Sequence, residues 1–206
     1  MDTSTISIVL VGVGGQGTIL ASDILAELGL RLGHDVKKAE VHGMSQRGGS
    51  VISHVRWGPT VHSSIIPKGG ADVLVAFEKM EAARYADLLK PEGMVIINDY
   101  AIEPLTVITG GKTYPGDEDI AHRFELDGHR ALWIDGVGIA KGLGNKNVAN
   151  VVLLGALSDL LGLPEDEWEA VLTMRVPTKH RKLNLDAFKA GQEALLPVLE
   201  AERARG

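Results

Sequence analysis

Two glycine-rich stretches constrain this chain more than any other feature: Gly12-Val13-Gly14-Gly15-Gln16-Gly17, and Glu40-Val41-His42-Gly43-Met44-Ser45-Gln46-Arg47-Gly48-Gly49. The first follows a short β-branched run, residues 6–11, of the kind a buried parallel strand requires. Beyond it Ile19, Leu20, Ile24, Leu25, Leu28 and Leu32 recur at helical spacing up to the stop signal Gly33-His34. The glycines therefore join a strand to a helix. There Gly12 permits a tight turn, Gly14 lets a ligand approach the backbone, and Gly17 lets the helix pack on the strand. The N–H groups that open the helix would face a bound anion, with the helix dipole in their favour. A side chain, a water or a partner loop could occupy the same turn.

A dinucleotide site needs an acid about 20 residues past such a motif, at the end of the second strand. Residues 36–41 predict that strand, and Glu40 is the candidate ribose ligand by position. The residues after Glu40 argue against that role. His42, Met44, Ser45, Gln46 and Arg47 offer an imidazole, a thioether, a hydroxyl, an amide and a guanidinium, bracketed by Gly43, Gly48 and Gly49. Such a loop can put main-chain N–H groups and one arginine around a single ligand; the simpler alternative is a surface loop with a solvated arginine. The candidate ligand-binding or shared-site residues are thus Gly12, Gly14, Gly15, Gln16, Gly17, Glu40, His42, Ser45, Gln46, Arg47, Gly48 and Gly49.

At these residues the chain resembles the gamma subunit or domain of 2-oxoacid:ferredoxin oxidoreductases, and within that family most closely the small (beta) subunits specific for indolepyruvate. The resemblance continues in Ile66-Pro67, in residues 71–78, in Leu89-Lys90-Pro91-Glu92-Gly93, in residues 145–155 and in Asn184-Leu185-Asp186-Ala187-Phe188. The glycine fingerprint is common to many folds, whereas the string from Glu40 to Gly49 is specific. The family often carries Ala where this chain has Ser45.

Composition adds a constraint of its own. The chain has 206 residues, a net charge of −6 and no cysteine. An acidic surface disfavours nucleic acid. The N-terminus lacks the regions of a signal peptide, and no apolar run reaches the ~20 residues of a membrane span, so a soluble, cytoplasmic protein without a membrane partner is expected. Iron–sulfur clusters are held mainly by cysteine thiolates. This chain cannot hold one in that way, nor form a disulfide or a thiolate nucleophile. A thiamine-diphosphate signature is also missing, since Gly116-Asp117 is followed by Glu118 and Gly128 is preceded by Asp127. Seven histidines are scattered without metal-ligand spacing; His54 and His62 would face each other only across a hairpin turning near Gly58-Pro59. There is no Gly-x-Ser-x-Gly nucleophile elbow. No catalytic residue and no metal site are expected on this chain alone.

The remaining pattern predicts one domain over residues 1–206. The expected class is α/β: a Rossmann-like, mostly parallel sheet flanked by helices, with an inserted antiparallel β-ribbon and a helical C-terminal part. The ribbon is expected at residues 50–56 and 60–64. Further strands are expected at residues 72–76, 94–98, 105–108 and 131–134, and a helix at 79–89, with Pro91-Glu92-Gly93 as a turn. Residues 110–119 read as a loop. Three C-terminal helices are expected: one capped by Asn147, one opening at Pro164, and one starting at Asn184 or Asp186. The basic stretch from Arg175 to Lys182 is either a solvated loop or a contact for an acidic partner or a phosphate.

The resemblance implies a heteromeric enzyme that decarboxylates an aryl 2-oxoacid oxidatively, forming an acyl-coenzyme A and reducing ferredoxin. It implies a large partner subunit carrying the thiamine diphosphate and the 4Fe-4S iron–sulfur clusters, with ferredoxin docking through that subunit and coenzyme A as the acyl acceptor. The isolated chain would be inactive, and could form a homodimer. The competing classes are a stand-alone NAD- or flavin-binding Rossmann oxidoreductase using Glu40, and a non-catalytic scaffold or anion-sensing module.

Overall fold

The computed structural model describes residues 5–42 and 49–203; the side chains of His42, Leu105, Thr106, Glu202 and Arg203 fall outside that description. The N-terminal apolar run forms β1 (Ile6–Val13), followed by α1 (Thr18–Arg31) and β2 (Asp35–His42). Next come β3 (Ser50–Gly58), β4 (Ala71–Ala76), α2 (Lys79–Arg84) and β5 (Leu89–Asn98). A single turn, α3 (Leu105–Ile108), leads to α4 (Asp117–Leu126) and β6 (Arg130–Ile134). Four helices finish the chain: α5 (Gly136–Gly142), α6 (Ala149–Leu161), α7 (Glu165–Arg175) and α8 (Arg181–Arg203).

The six strands form one sheet in the order β2-β3-β1-β4-β5-β6. β1, β4, β5 and β6 run parallel, while β3 is antiparallel to both β1 and β2. Period-2 alternation divides the strand side chains between two cores. Ile8, Leu10, Val73, Val75 and Ile96 pack toward α1, α6, α7 and α8; Val9, Val11, Leu74, Ala76, Val95 and Ile97 pack toward α2 and α4.

The mixed α/β class matches the expectation, but the antiparallel element differs from it. β3 is a full sheet strand lying between β1 and β2, and residues 60–64 form no strand to pair with it. β3 is buried on both faces, with Val55 and Trp57 in one core and Ile52 in the other beside Ile66. His54 is therefore 5% exposed and its Nδ1 accepts the N–H of Ile66 at 3.4 Å, whereas His62 is exposed, so the two do not face each other.

Burial holds the His54 imidazole below its ordinary pKa. The unfolded chain then takes up the proton first as pH falls. His54 contributes stability that is present above about pH 6.5 and lost below it. The thermal midpoint should drop as the pH is lowered from about 7 to about 5, and drop less in His54→Gln, whose amide can still accept from Ile66. Identical drops in both proteins would refute this account.

Other boundaries moved for local reasons. Residues 105–108 form a helical turn rather than a strand: the sheet position beside β5 is taken by β6, and the Val107 and Ile108 amides instead donate to the Pro104 carbonyl. The acids Asp117, Glu118 and Asp119 open α4, where they complement the helix dipole, and Ile120 and Phe124 bury one face of it. The turn expected at residues 91–93 lies inside β5 as an irregularity in its register, with Glu92 at φ 62°. The helix from Lys79 is shorter than expected and passes into a 3-10 turn over Ala86–Leu88. The last helix starts earlier, at Arg181, and its basic approach is partly neutralised, since Arg175 pairs with Asp23 at 2.9 Å and Lys182 with Asp186 at 2.7 Å.

Among the described residues, no helix is long and apolar enough to cross a membrane.

Candidate functional site

The topology brings the first glycine-rich stretch and the two described ends of the second, residues 40–42 and Gly49, to one end of the sheet. β1 and β2 end there and β3 begins there, with Val13 opposite Ser50 and His42 opposite Val51. This is the edge outside the carboxyl ends of the parallel strands, where open α/β sheets bind ligands. The two stretches touch directly: the Gly14 N–H donates to the Gly49 carbonyl at 2.9 Å.

Gln16 closes the first turn from inside. Its Oε1 accepts the Val13 N–H at 2.7 Å and its Nε2 donates to the Phe77 carbonyl at 2.7 Å, tying the turn to the end of β4. A side chain at Gly12 would collide with this amide, since a Cβ there lies 2.9 Å from Gln16 Oε1. Gly17 has φ 82°, a conformation that favours glycine, and a Cβ on it would lie 2.5 Å from Asn150 Nδ2. The close partner of Gly17 is thus α6, not the preceding strand.

A cleft of ≈ 250 Å³ opens on one side of the turn, lined by Gly14, Gly15 and Gln16 together with Phe77, Asn98, Tyr100, Lys146 and Asn150. A second, of ≈ 420 Å³, lies among Val13, Gly14, Gly15, Gly17, Thr18, Ile19 and Val51. The turn is a ridge shared by the two. The first is below, and the second near the lower end of, the roughly 300–1,000 Å³ that enclose a small organic ligand. A second surface would be needed to complete an enclosed site.

Positive potential reaches the ridge from two directions. The N-terminus of α1 opens just past Gly17, and Lys146, exposed in the 3-10 turn that precedes α6, has no acidic partner among the described residues. Both contributions have the sign that favours an anion.

Several lining residues escape sequence reasoning. Asn98 ends the apolar run of β5, almost fully buried; its Nδ2 donates to the Phe77 carbonyl at 3.0 Å and its Oδ1 accepts the Gly136 N–H at 3.0 Å. It thereby fixes the ends of β4 and β5 and the start of α5 together. The available signal was an amide directly after the apolar run Met94-Val95-Ile96-Ile97. Asn150, also buried, donates to the Gly17 carbonyl at 3.4 Å.

The structure places Glu40 elsewhere. Its carboxylate accepts from Lys38 at 2.5 Å and from Ser22 at 3.4 Å, and it lines neither cleft. Burial alone would lower the Lys38 pKa, but hydrogen bonds to Asp23 and Glu40 outweigh it and hold the ammonium above its ordinary range. With β3 inserted, β2 is two strand spacings from β1, about 10 Å, where a dinucleotide fold would have it adjacent. His42 is described only by its backbone. Ser45, Gln46, Arg47 and Gly48 lie outside the described residues.

Beneath the same edge sits a buried carboxyl pair. Glu78, with no exposed surface, caps α2 by accepting the Glu81 N–H at 2.9 Å; it also accepts the Ile102 N–H at 3.0 Å and the Tyr114 hydroxyl. Glu81, 2% exposed, accepts the Ser50 hydroxyl and, at 3.1 Å, the Arg84 Nε. Burial pushes the Glu81 carboxyl above its ordinary pKa, against the lowering by Ser50 and Arg84. Burial and the neighbouring Glu78 carboxylate push the Tyr114 phenol up as well. Among the described residues, no group of three His, Cys, Asp or Glu side chains could hold a metal ion.

Known proteins match this architecture from end to end. Residues 7–194 fit the pyruvate ferredoxin/flavodoxin oxidoreductase family. The chain is 41% identical over 196 residues to the indolepyruvate oxidoreductase subunit IorB of Thermococcus kodakarensis, covering 94% of this chain and 97% of that protein. The protein of the same name from Archaeoglobus fulgidus is 39% identical, with 90% of this chain and 93% of the relative covered. The gamma subunit of a keto/oxoacid ferredoxin oxidoreductase from Geobacter sulfurreducens superimposes with a TM-score of 0.69 at 27% identity, over 93% of this chain and 99% of that one. The 2-oxoglutarate:ferredoxin oxidoreductase of Magnetococcus marinus shares the fold, with a TM-score of 0.74 at 24% identity, over 94% of this chain and 31% of that longer one. The match over residues 7–194 and the 41% identity along almost the whole chain show the family: the chain belongs to the pyruvate ferredoxin/flavodoxin oxidoreductase family.

Proposed function

We propose that this chain is the small, single-domain subunit of a cytoplasmic indolepyruvate ferredoxin oxidoreductase, an enzyme that converts an aryl 2-oxoacid and coenzyme A to an acyl-coenzyme A and carbon dioxide while reducing ferredoxin. The observation that carries the proposal is the 41% identity to an indolepyruvate oxidoreductase subunit along almost the whole of both chains. In this reading the iron–sulfur clusters and the thiamine diphosphate sit on a larger partner subunit, a division supported by the lack of cysteine in this chain. The thiamine diphosphate supplies the electron sink for decarboxylation.

This chain's own part is binding and orientation. The Gly14-Gly15 ridge, the N–H groups opening α1 and Lys146 would hold a phosphate of coenzyme A or the carboxylate of the 2-oxoacid. Gln16, Asn98 and Asn150 keep the backbone of that ridge fixed. The residues present fit a phosphate-bearing ligand, because the turn offers N–H groups and a cation without an opposing carboxylate among the lining residues.

A second reading, that the same edge is the subunit interface and touches no small molecule, is favoured by Ile19 and Val41, which are 46% and 54% exposed. Arg47→Ala in the complete complex separates the two. Under the ligand reading, turnover falls about 10-fold or more while the complex still elutes intact from a sizing column. Loss of assembly supports the interface, and unchanged turnover with unchanged assembly removes both.

A further inference from the structure

We propose that Glu81 is a positioning residue of the shared site: through Ser50 it holds Gly49 against the glycine turn, and so sets the ligand-facing side of that turn from the buried side of the sheet. The inference rests on the proposed function only for its kinetic consequence. Its structural basis is a continuous chain of contacts. The Glu81 carboxyl accepts the Ser50 hydroxyl, and the Ser50 Oγ also lies 3.1 Å from the Tyr85 hydroxyl. Ser50 is the first residue of β3, directly after Gly49, whose carbonyl accepts the Gly14 N–H.

A buried carboxyl is costly unless hydrogen bonds compensate it. Here it lies on α2, a helix of the opposite core, and reaches the point where β3 begins. Packing alone does not call for an acid there. Other groups fix its orientation: Arg84 Nε occupies the second oxygen, and Glu78, three residues earlier, holds the Glu81 backbone N–H. The carboxyl is thus aimed at Ser50. Without this anchor, the Gly49 carbonyl would be held only by the main chain of β3, and the Gly14 N–H would have a less fixed acceptor.

The test uses three variants: Glu81→Ala, Ser50→Ala and Glu81→Gln. The glutamine amide can still accept from Ser50, while Arg84, half exposed, can turn to solvent. In the full chain, hydrogen exchange of the Gly14 amide followed by NMR should quicken about 10-fold in Ser50→Ala and Glu81→Ala and stay near the wild-type rate in Glu81→Gln. The Val9 amide, inside β1, serves as the unchanged control. In the assembled complex, KM for the ligand that the turn holds, coenzyme A or the 2-oxoacid, should rise about 10-fold in the same two variants with kcat nearly constant, and Glu81→Gln should restore it.

Gly14 exchange as slow as wild type in both alanine variants would overturn the proposal. If Glu81→Ala fails to fold, Ser50→Ala carries the test with the same reading. Quickened exchange with KM unmoved for both coenzyme A and the 2-oxoacid would uphold the structural link and sink instead the reading of the turn as ligand-facing.

Discussion

Replacing Gly191 by alanine should lower the thermal midpoint of the chain by about 10 °C, the largest stability loss expected of any one-methyl change here. α6 and α8 cross at their glycines. A Cβ at Gly191 would lie 1.9 Å from the Val152 carbonyl oxygen, and one at Gly155 would lie 2.0 Å from the Phe188 carbonyl oxygen. Both obstacles are main-chain atoms of a packed helix, so neither can rotate away. Intrinsic propensity works in the other direction, since Gly→Ala in a helix interior gains about 1 kcal/mol. The steric term wins. Two closely packed helices must separate by more than an ångström, which costs about 3 kcal/mol or more, and at about 2–4 °C per kcal/mol for a chain of this size the shift results. Gly142→Ala in α5, where nothing lies within 4 Å, should leave stability unchanged or slightly raised. Calorimetry on the two variants decides the matter; a Gly191→Ala midpoint equal to that of Gly142→Ala would dismiss the close crossing.

That crossing matters for the site because α6 carries Asn150, and the segment just before it carries Lys146 and Asn147. α8 is the support behind them. A separation of α6 from α8 would therefore be felt at Gly17, whose carbonyl accepts from Asn150.

The parts of this arrangement that were legible in the sequence depend on local signals. Residues 6–17 announced strand, turn and helix because apolar period, glycine spacing and helix start all agree, and the structure has each in place. The strands β4, β5 and β6 were visible as short apolar runs between turn residues. Long-range pairing was not visible. The alternation of residues 50–56 is the same whether β3 lies in a ribbon or between β1 and β2, and only the register of β3 against both neighbours distinguishes them. The same limit hid part of Glu40's surroundings: Lys38 is its neighbour on the same face of β2, but Ser22 and Asp23 join the pair only once β2 packs on α1. α4 was missed because its first turn is entirely acidic and follows a glycine- and proline-bearing stretch, and its apolar pair, Ile120 and Phe124, is too short a stripe to show a period. Asn98 and Glu81 were missed for a further reason. Each is a polar residue whose role is to join separate elements, and no local pattern records that.

Gln16→Ala should cost the chain about 2 kcal/mol and lower the turnover of the assembled complex at least about 10-fold. The reasoning starts from the two hydrogen bonds at 2.7 Å. Removing the amide leaves the Val13 N–H, nearly buried, without its acceptor, whereas the Phe77 carbonyl keeps its bond from Asn98. The loss is therefore concentrated on the turn itself, at the residue before Gly14. It also empties the space over Gly12, so the ridge between the two clefts has less to hold its shape. Gln16→Glu makes a sharper test. Its carboxylate can accept from Val13 but sets a second acceptor against the Phe77 carbonyl, a repulsion that protonation converts into a hydrogen bond. Turnover of Gln16→Glu relative to wild type should thus be lower at about pH 8 than at about pH 6, while Gln16→Ala shows no such recovery. Assembly is checked on a sizing column at each pH. An intact Gln16→Ala complex with wild-type turnover would mean that the glycine turn, although built as a rigid ridge, does not face the reacting ligands.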